Sequence, residues 1–265
     1  MKHLALILAC WPSAAFAAAS TDLLVGTFSN EEQVYFDKEA GRTPPPRRTL
    51  RISKTDGGYK VEPVDPFGPL SGPISLLVLG RVNKFLTLND GRCIRTFKNF
   101  KDSLVQLAAS GTCSDGVDFS LVDAKGIIIA DAGGVPSELR RARTATCWGS
   151  TLRDAKKPDG SPDWFFVGGL KLHDQGGRVA FGGGDTGAQP MTLRMRNVIW
   201  PQGNSSRPSL VLYIHKPEKP DSAESYVWGD PGAARLGINL RWVQGSCSID
   251  GLDTPVIIRT DQSKG

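Results

Sequence analysis

The amino-acid sequence predicts an all-β, antiparallel fold, either closed into a calyx-like (lipocalin-like) barrel or bent strongly into a sandwich, with minor helices. Three observations carry that expectation. The apolar runs are short, rich in β-branched and aromatic residues, and bounded by Gly, Pro, Asp or Asn. Several of them alternate with period two, which places successive side chains on opposite faces of a strand. Glycine (30 residues) and proline (18) are abundant in the 265-residue chain, enough to punctuate many short elements with turns.

Taken in order, residues 22–35 hold the first helical signal, with Ser20, Thr21 or Asp22 as cap and Glu31, Glu32 and Gln33 as helix formers. A loop with Pro44, Pro45 and Pro46 separates it from a strand-like run at residues 49–52. Further strand runs lie at residues 74–79, 117–122 and 126–130. Between them, residues 99–109 are a second helical candidate, because Phe100, Leu104, Leu107 and Ala108 recur at helical spacing. Alternation is clearest at residues 191–198, where Met191, Leu193 and Met195 share one face and Thr192, Arg194 and Arg196 the other. That pattern predicts a half-buried strand, its arginines turned to solvent or a wet lumen. A run at residues 209–214 follows, and residues 236–242 place Leu236, Ile238, Leu240 and Trp242 on one side. With no repeat and no interdomain linker, residues 18–265 are expected to form a single β-rich domain.

The N-terminus bears on location. Lys2, a short apolar run at residues 4–11, and the small-x-small end Ala15-Phe16-Ala17 predict an export signal at residues 1–17, cleaved before Ala18. The run is too short to span a bilayer and no later segment is longer, so a periplasmic or secreted protein without a transmembrane anchor is expected. Ala9-Cys10 leaves a lipoprotein reading open. Beyond the signal stand Cys93, Cys113, Cys147 and Cys247, an even number that suggests two disulfides. The expected pairs are Cys93–Cys113, closing a local strand-loop-strand, and Cys147–Cys247, tying the last strand to the middle of the chain; four buried thiols are the alternative. None of the Cys or His residues has zinc-ligand spacing, so neither metal nor cofactor is expected. The net charge of +5 drops by one with Lys2 and is spread along the chain, which excludes nucleic acid as the expected partner.

The sequence lacks a G-x-S-x-G elbow, an H-E-x-x-H helix, a phosphate loop and a dinucleotide fingerprint. His173 and Asp174 stand at a strand end before Gly176 and Gly177. They read either as ligand-binding or proton-transfer groups at a barrel mouth, or as a hairpin turn in which Asp174 bonds backbone amides and the glycines supply positive φ. His215 alternates in phase with Val211 and Tyr213 as a packed or rim residue. Trp148, Trp164, Trp200, Trp228 and Trp242 share the second half of the chain with Arg143, Arg194, Arg196 and Arg241. Aromatic walls with a few guanidinium groups suit a flat apolar ligand carrying carboxylates, with Trp148, Trp164, Arg143 and Arg241 as candidate contacts. The alternative is tryptophans in the core and arginines on the outer face.

Residues 24–33, with Gly26-Thr27-Phe28-Ser29-Asn30 and Gln33, resemble the G-x-F-S-N-x-x-Q signature of the CpcT/CpeT-type chromophore lyases, which attach bilins to phycobiliproteins. Thr49-Leu50-Arg51-Ile52 is similar to the L-R strand that follows in that family. His173-Asp174-Gln175-Gly176 and Phe181-Gly182-Gly183 resemble its D-R-G and W-G runs, with Gln175 and Phe181 as departures. The resemblance spans residues 22–185 and implies a calyx-shaped barrel with a cavity for a linear tetrapyrrole; it places no bilin-handling residue on this chain.

Three functions fit these readings. The leading one is an exported β-barrel that binds a small, mostly apolar, carboxylated or tetrapyrrole-like ligand without catalysis. The second is a structural or interaction module of the cell envelope with a protein partner. The third is a chromophore-lyase-like enzyme using His173 or Asp174 for proton transfer.

Overall fold

The computed structural model of the chain describes residues 23–250 apart from 68–69, 71–73, 83, 114–118, 131–134, 202 and 204. The expected export signal at residues 1–17 lies outside the described residues. Both architectures that the sequence allows are present, one after the other. The first half is a barrel of ten antiparallel strands: β1 (Gly26–Ser29), β2 (Thr49–Thr55), β3 (Gly58–Pro63), β4 (Ile74–Val82), β5 (Phe85–Asn89), β6 (Cys93–Phe100), β7 (Ser103–Gly111), β8 (Phe119–Asp123), β9 (Gly126–Ile129) and β10 (Ser137–Ala142). Strands β2 to β10 form a meander, and β1 closes it by pairing with β2 on one side and β10 on the other. Closure leaves the sheet without free edges.

Short polar turns make the meander. Asp90 accepts hydrogen bonds from the Arg92 and Cys93 amides (2.9 and 2.8 Å) between β5 and β6. Asp123 does the same for Lys125 and Gly126 (2.7 and 2.9 Å) between β8 and β9. These side chains replace ladder bonds that the backbone loses at each reversal. Alternate strand residues point inward, where Phe28, Ile52, Tyr59, Phe97, Phe119, Ile127 and Leu139 pack together with their neighbours.

The second half comprises β11 (Thr144–Lys156), β12 (Pro162–His173), β13 (Gln175–Phe181), β14 (Met191–Val198), β15 (Ser209–His215), β16 (Ala223–Gly229), β17 (Arg235–Asn239) and β18 (Val243–Ile249). They form two four-stranded sheets, ordered β12-β11-β18-β17 and β13-β14-β15-β16. Cys147, Leu236, Val243 and Cys247 of one sheet meet Met191, Leu193, Met195, Leu212 and Ile214 of the other in a shared apolar layer. The methionine face of β14 is therefore the packed one.

Helix α1 (Glu31–Glu39) follows β1 directly. It begins later than the helical signal at residues 22–35, since residues 26–29 are taken into the barrel as the closing strand. Asn30 fixes the turn between them: its Oδ1 accepts from the Arg48 amide (2.7 Å) and its Nδ2 donates to the Pro46 carbonyl (2.8 Å). The helix expected at residues 99–109 is instead the β6–β7 hairpin. Lys101 adopts a left-handed φ of 55° at its turn, and β7 gains partners on both sides from β6 and β8. Ladder pairing across a closed sheet outweighs a short stretch of helical spacing. Among the described residues no helix is long and apolar enough to cross a membrane.

Cys93–Cys113 and Cys147–Cys247 pair as the sequence suggests, across separations of 20 and 100 residues. The second joins directly opposed residues of β11 and β18. In the loop-entropy picture, removal of Cys147–Cys247 by a double Ala substitution costs about 4–5 kcal/mol and removal of Cys93–Cys113 about 3 kcal/mol. Denaturant midpoints of the two double variants check this; the reverse order of losses contradicts it.

Candidate functional site

The seam between barrel and sandwich concentrates the buried charge. Glu31 and Glu32 open α1, where carboxylates are favoured by the positive end of the helix. The helix lies against β13 and β10, and both side chains turn into the seam toward β14, 3% and 2% exposed. Arg194 donates from Nη2 to Glu31 Oε1; Arg196 donates to Glu32 Oε1 from Nε at 2.7 Å and also from Nη2. Burial alone would raise the Glu31 pKa, but the charge and hydrogen bond of Arg194, with Arg47 and Arg196, outweigh it and hold the carboxyl below its usual range. Burial prevails at Glu32, which stays above the usual range despite Arg196 and Arg140. Gly176 makes room for this cluster: its φ is +85°, and a Cβ there would overlap the Glu31 carboxylate.

These pairs correct the expectation that the arginine face of β14 meets solvent or a lumen. Thr192, Arg194 and Arg196 are buried like the opposite face. Guanidinium groups can leave water here because carboxylates reach them from a helix more than 160 residues earlier in the chain.

Asp174 and Arg143 form a second buried pair beside the first. Asp174 Oδ1 accepts from the Arg143 amide (2.8 Å) and Oδ2 from Arg143 Nε (2.7 Å). Arg143 Nη1 donates to the Pro231 carbonyl at 2.6 Å. The Asp174 backbone bonds to both Arg143 and Asn197, so the residue staples the β10–β11 link to the β12–β13 turn and to β14. Burial, only partly offset by Arg143, raises its pKa. The link is not the hairpin turn that the sequence allows, since β12 and β13 belong to different sheets; Gly176 alone of the two glycines has a positive φ, and the carboxylate bonds the distant Arg143 amide.

His173 stands differently. It lines a cleft of about 350 Å³ between the two bodies. Thr27 and Arg51 of the barrel and residues 64–67 of the β3–β4 loop form one wall; Lys171, Leu172, His173, Arg178 and Asp250 form the other. The loop is held in place by the Arg178 amide, which donates to the Pro66 carbonyl at 2.8 Å. The Arg178 guanidinium donates to the Pro220 carbonyl (2.9 Å), while its buried Nε has no hydrogen-bond partner. His173 Nδ1 accepts from the Gln175 amide at 3.3 Å, which puts the proton of the neutral ring on Nε2. Burial, with Arg51 adding to it against Glu31, lowers its pKa to about 4. The ring is thus a neutral donor at ordinary pH.

The candidate contacts named from sequence do not gather here. Arg143 is consumed by Asp174. Trp148 lies on the outer face of β11 against Phe166, ring centroids 5.6 Å apart. Trp164 of β12 opposes Leu152, further along the same strand pair, and Arg241 is exposed in the β17–β18 turn. His215 is packed, as its phase suggests, and burial with Arg178 and Arg194 lowers its pKa. Sequence reasoning missed Arg51, Phe67, Lys171 and Arg178 as cleft residues; only the glycine pair after His173 marked the place. Among the described residues no three His, Cys, Asp or Glu side chains are grouped to hold a metal ion. No family model, curated protein or solved structure matches this chain.

A lowered histidine pKa has a stability consequence. The unfolded chain takes up the proton near 6.5, the folded one only near 4. Stability therefore falls as pH drops from 6.5 to 4, by up to about 3 kcal/mol from this group. Urea unfolding of wild type and His173→Gln across that window checks it: wild type loses stability relative to the variant on acidification, and a constant difference contradicts it.

Proposed function

We propose that this protein binds, without transforming it, a small amphipathic anion: an apolar body ending in a carboxylate, seated in the cleft between barrel and sandwich. The observation that carries the reading is the lining of the cleft. Val64, Pro66, Phe67 and Leu172 offer apolar surface, while Arg51, Lys171 and Arg178 face Asp65 and Asp250, leaving one positive charge in excess. His173 adds a neutral N–H donor rather than a competing charge. A mostly apolar concavity with a few convergent polar groups is the general form of a small-molecule site, and guanidinium groups suit a carboxylate. The apolar leader at residues 1–17 and the two cysteine pairs support a place outside the cytoplasm. The resemblance to CpcT/CpeT-type lyases supplies one further ligand of the same chemistry, since a linear tetrapyrrole carries two carboxylates on a flat apolar frame.

Isothermal titration of the purified exported chain tests the reading with decanoate, biliverdin and decylamine. Decanoate and biliverdin bind in competition, decylamine does not, and Arg51→Ala with Lys171→Ala weakens decanoate by about tenfold or more, equal to roughly 1.4 kcal/mol. Equal binding of decanoate and decylamine, or unchanged affinity in the double variant, contradicts it.

A further inference from the structure

The barrel wall farthest from the sandwich ends in an exposed apolar tip. In the closed order of strands, β5 and β6 stand opposite β1 and β10, the strands that meet β13. Alternate turns of a meander share one end, so the β4–β5 and β6–β7 hairpins close side by side. Val82 and Phe85 are ladder partners across the first hairpin, and Phe85 lies opposite Lys98. Phe100 follows Lys98 on the same face of β6. That face is the outer one, because Leu86 and Phe97, one position along from Phe85 and Lys98, are buried in the barrel. Val82, Phe85 and Phe100 are 67%, 42% and 58% exposed and belong to neither apolar core. Single exposed apolar side chains are ordinary; three gathered at one pair of hairpin ends mark a contact surface.

The charges around the tip constrain what it contacts. Lys84 and Lys101 stand in the two turns and Lys98 beside the rings, against Asp102 alone. All three lysines are exposed, and among the described residues none is paired with a carboxylate. The Lys101 ammonium lies instead 5.7 Å from the centroid of the Phe100 ring. The β2–β3 and β8–β9 hairpins close at the same end and add Lys54 and Lys125 against Asp56 and Asp123, so the positive excess stands. Hairpin ends protrude, whereas small molecules are held in concavities. A second copy of the chain, meeting the tip about a two-fold axis, would set lysines against lysines. An anionic bilayer suits both features: apolar side chains enter the boundary between headgroups and acyl chains, and lysines stay level with the phosphates. The chain also enters the barrel from this end, since Gly26 faces Ile52 and β2 runs on from there to its turn with β3. The apolar run at residues 4–11 is thus joined to the barrel on the tip side.

We propose that the paired β4–β5 and β6–β7 hairpin ends dock this protein reversibly on an anionic lipid surface, Val82, Phe85 and Phe100 entering the headgroup boundary and Lys84, Lys98 and Lys101 meeting lipid phosphates. The attachment is peripheral. It is independent of the ligand cleft, which Thr27 of β1 and Arg51 of β2 line on the opposite side of the barrel.

Co-sedimentation of the purified exported chain with vesicles tests it, using phosphatidylglycerol mixed with phosphatidylcholine, and phosphatidylcholine alone. Wild type is expected to partition onto the mixed vesicles more strongly than onto phosphatidylcholine. Phe85→Ala with Phe100→Ala lowers that partition about tenfold or more, through the apolar surface lost. Lys84→Glu with Lys101→Glu lowers it as well, while the cleft variant Arg51→Ala with Lys171→Ala leaves it unchanged. All four tip positions are exposed, and urea midpoints matching wild type check that the variants fold. No partition onto the mixed vesicles overturns the proposal, and so does equal partition of wild type and the phenylalanine variant. Loss of binding in the cleft variant alone assigns the vesicle contact to the cleft and overturns it too. Sedimentation velocity adds a further route to failure: self-association that Phe100→Ala abolishes, without vesicle binding, assigns the tip to a second copy of this chain.

Discussion

Carrying two guanidinium groups out of water costs several kcal/mol each unless a carboxylate goes with them. Arg194 and Arg196 alternate with the methionines of β14, so any packing that buries the outer face of this strand must bring acids to it. Glu31 and Glu32 are those acids, and they arrive from α1 immediately after the closing strand of the barrel. The pairs therefore decide where the barrel can sit on the sandwich. An apolar contact would tolerate sliding; a buried array of directional hydrogen bonds tolerates one register, because a shift strands a charge. Gly176 yields the space the Glu31 carboxylate occupies, which ties the β12–β13 turn to the same arrangement.

The adjacent acids look to different sides. Glu31 acts on His173 in the cleft, where its charge partly offsets the burial and Arg51 that keep the imidazole neutral. Glu32 lines the crevice beside Trp200, with its Oε2 buried and without a hydrogen-bond partner. One helix turn thus borders two concavities of contrasting character, one with a positive excess and apolar walls, one with three carboxylates against two guanidinium groups beside Phe36 and Trp200. Asp174 and Arg143 brace the seam by bonding each other, with Arg143 Nη2 left buried and without a partner.

Much of the fold was legible because strand periodicity and turn chemistry are local. The alternation at residues 191–198, the β-branched runs around residues 126–130 and the first part of residues 236–242 became strands, although β17 ends at Asn239 and Leu240 and Trp242 lie in the turn after it; both cysteine pairs followed from separation and strand context. Residues 99–109 misled because Phe100, Leu104 and Leu107 fit helical spacing while a tight turn at Lys101 divides them between β6 and β7, and β8, which pairs with the other side of β7, comes later in the chain. The arginine face of β14 misled for the same reason at greater range: its partners precede it by more than 160 residues, and no local pattern reports them. The cleft was the least legible part, since Arg51, Phe67 and Arg178 come from separate elements that only the docking of the two bodies brings together.

The claim on which all of this rests is that the buried ion pairs lock the two bodies in one register. A double-mutant cycle between Glu32 and Arg196, using Glu32→Gln and Arg196→Met and read by urea unfolding, measures it directly. The account predicts a coupling energy of about 2 kcal/mol or more, at the upper end of what residues in one buried network show. A coupling below about 0.5 kcal/mol, the additivity of independent sites, would contradict it.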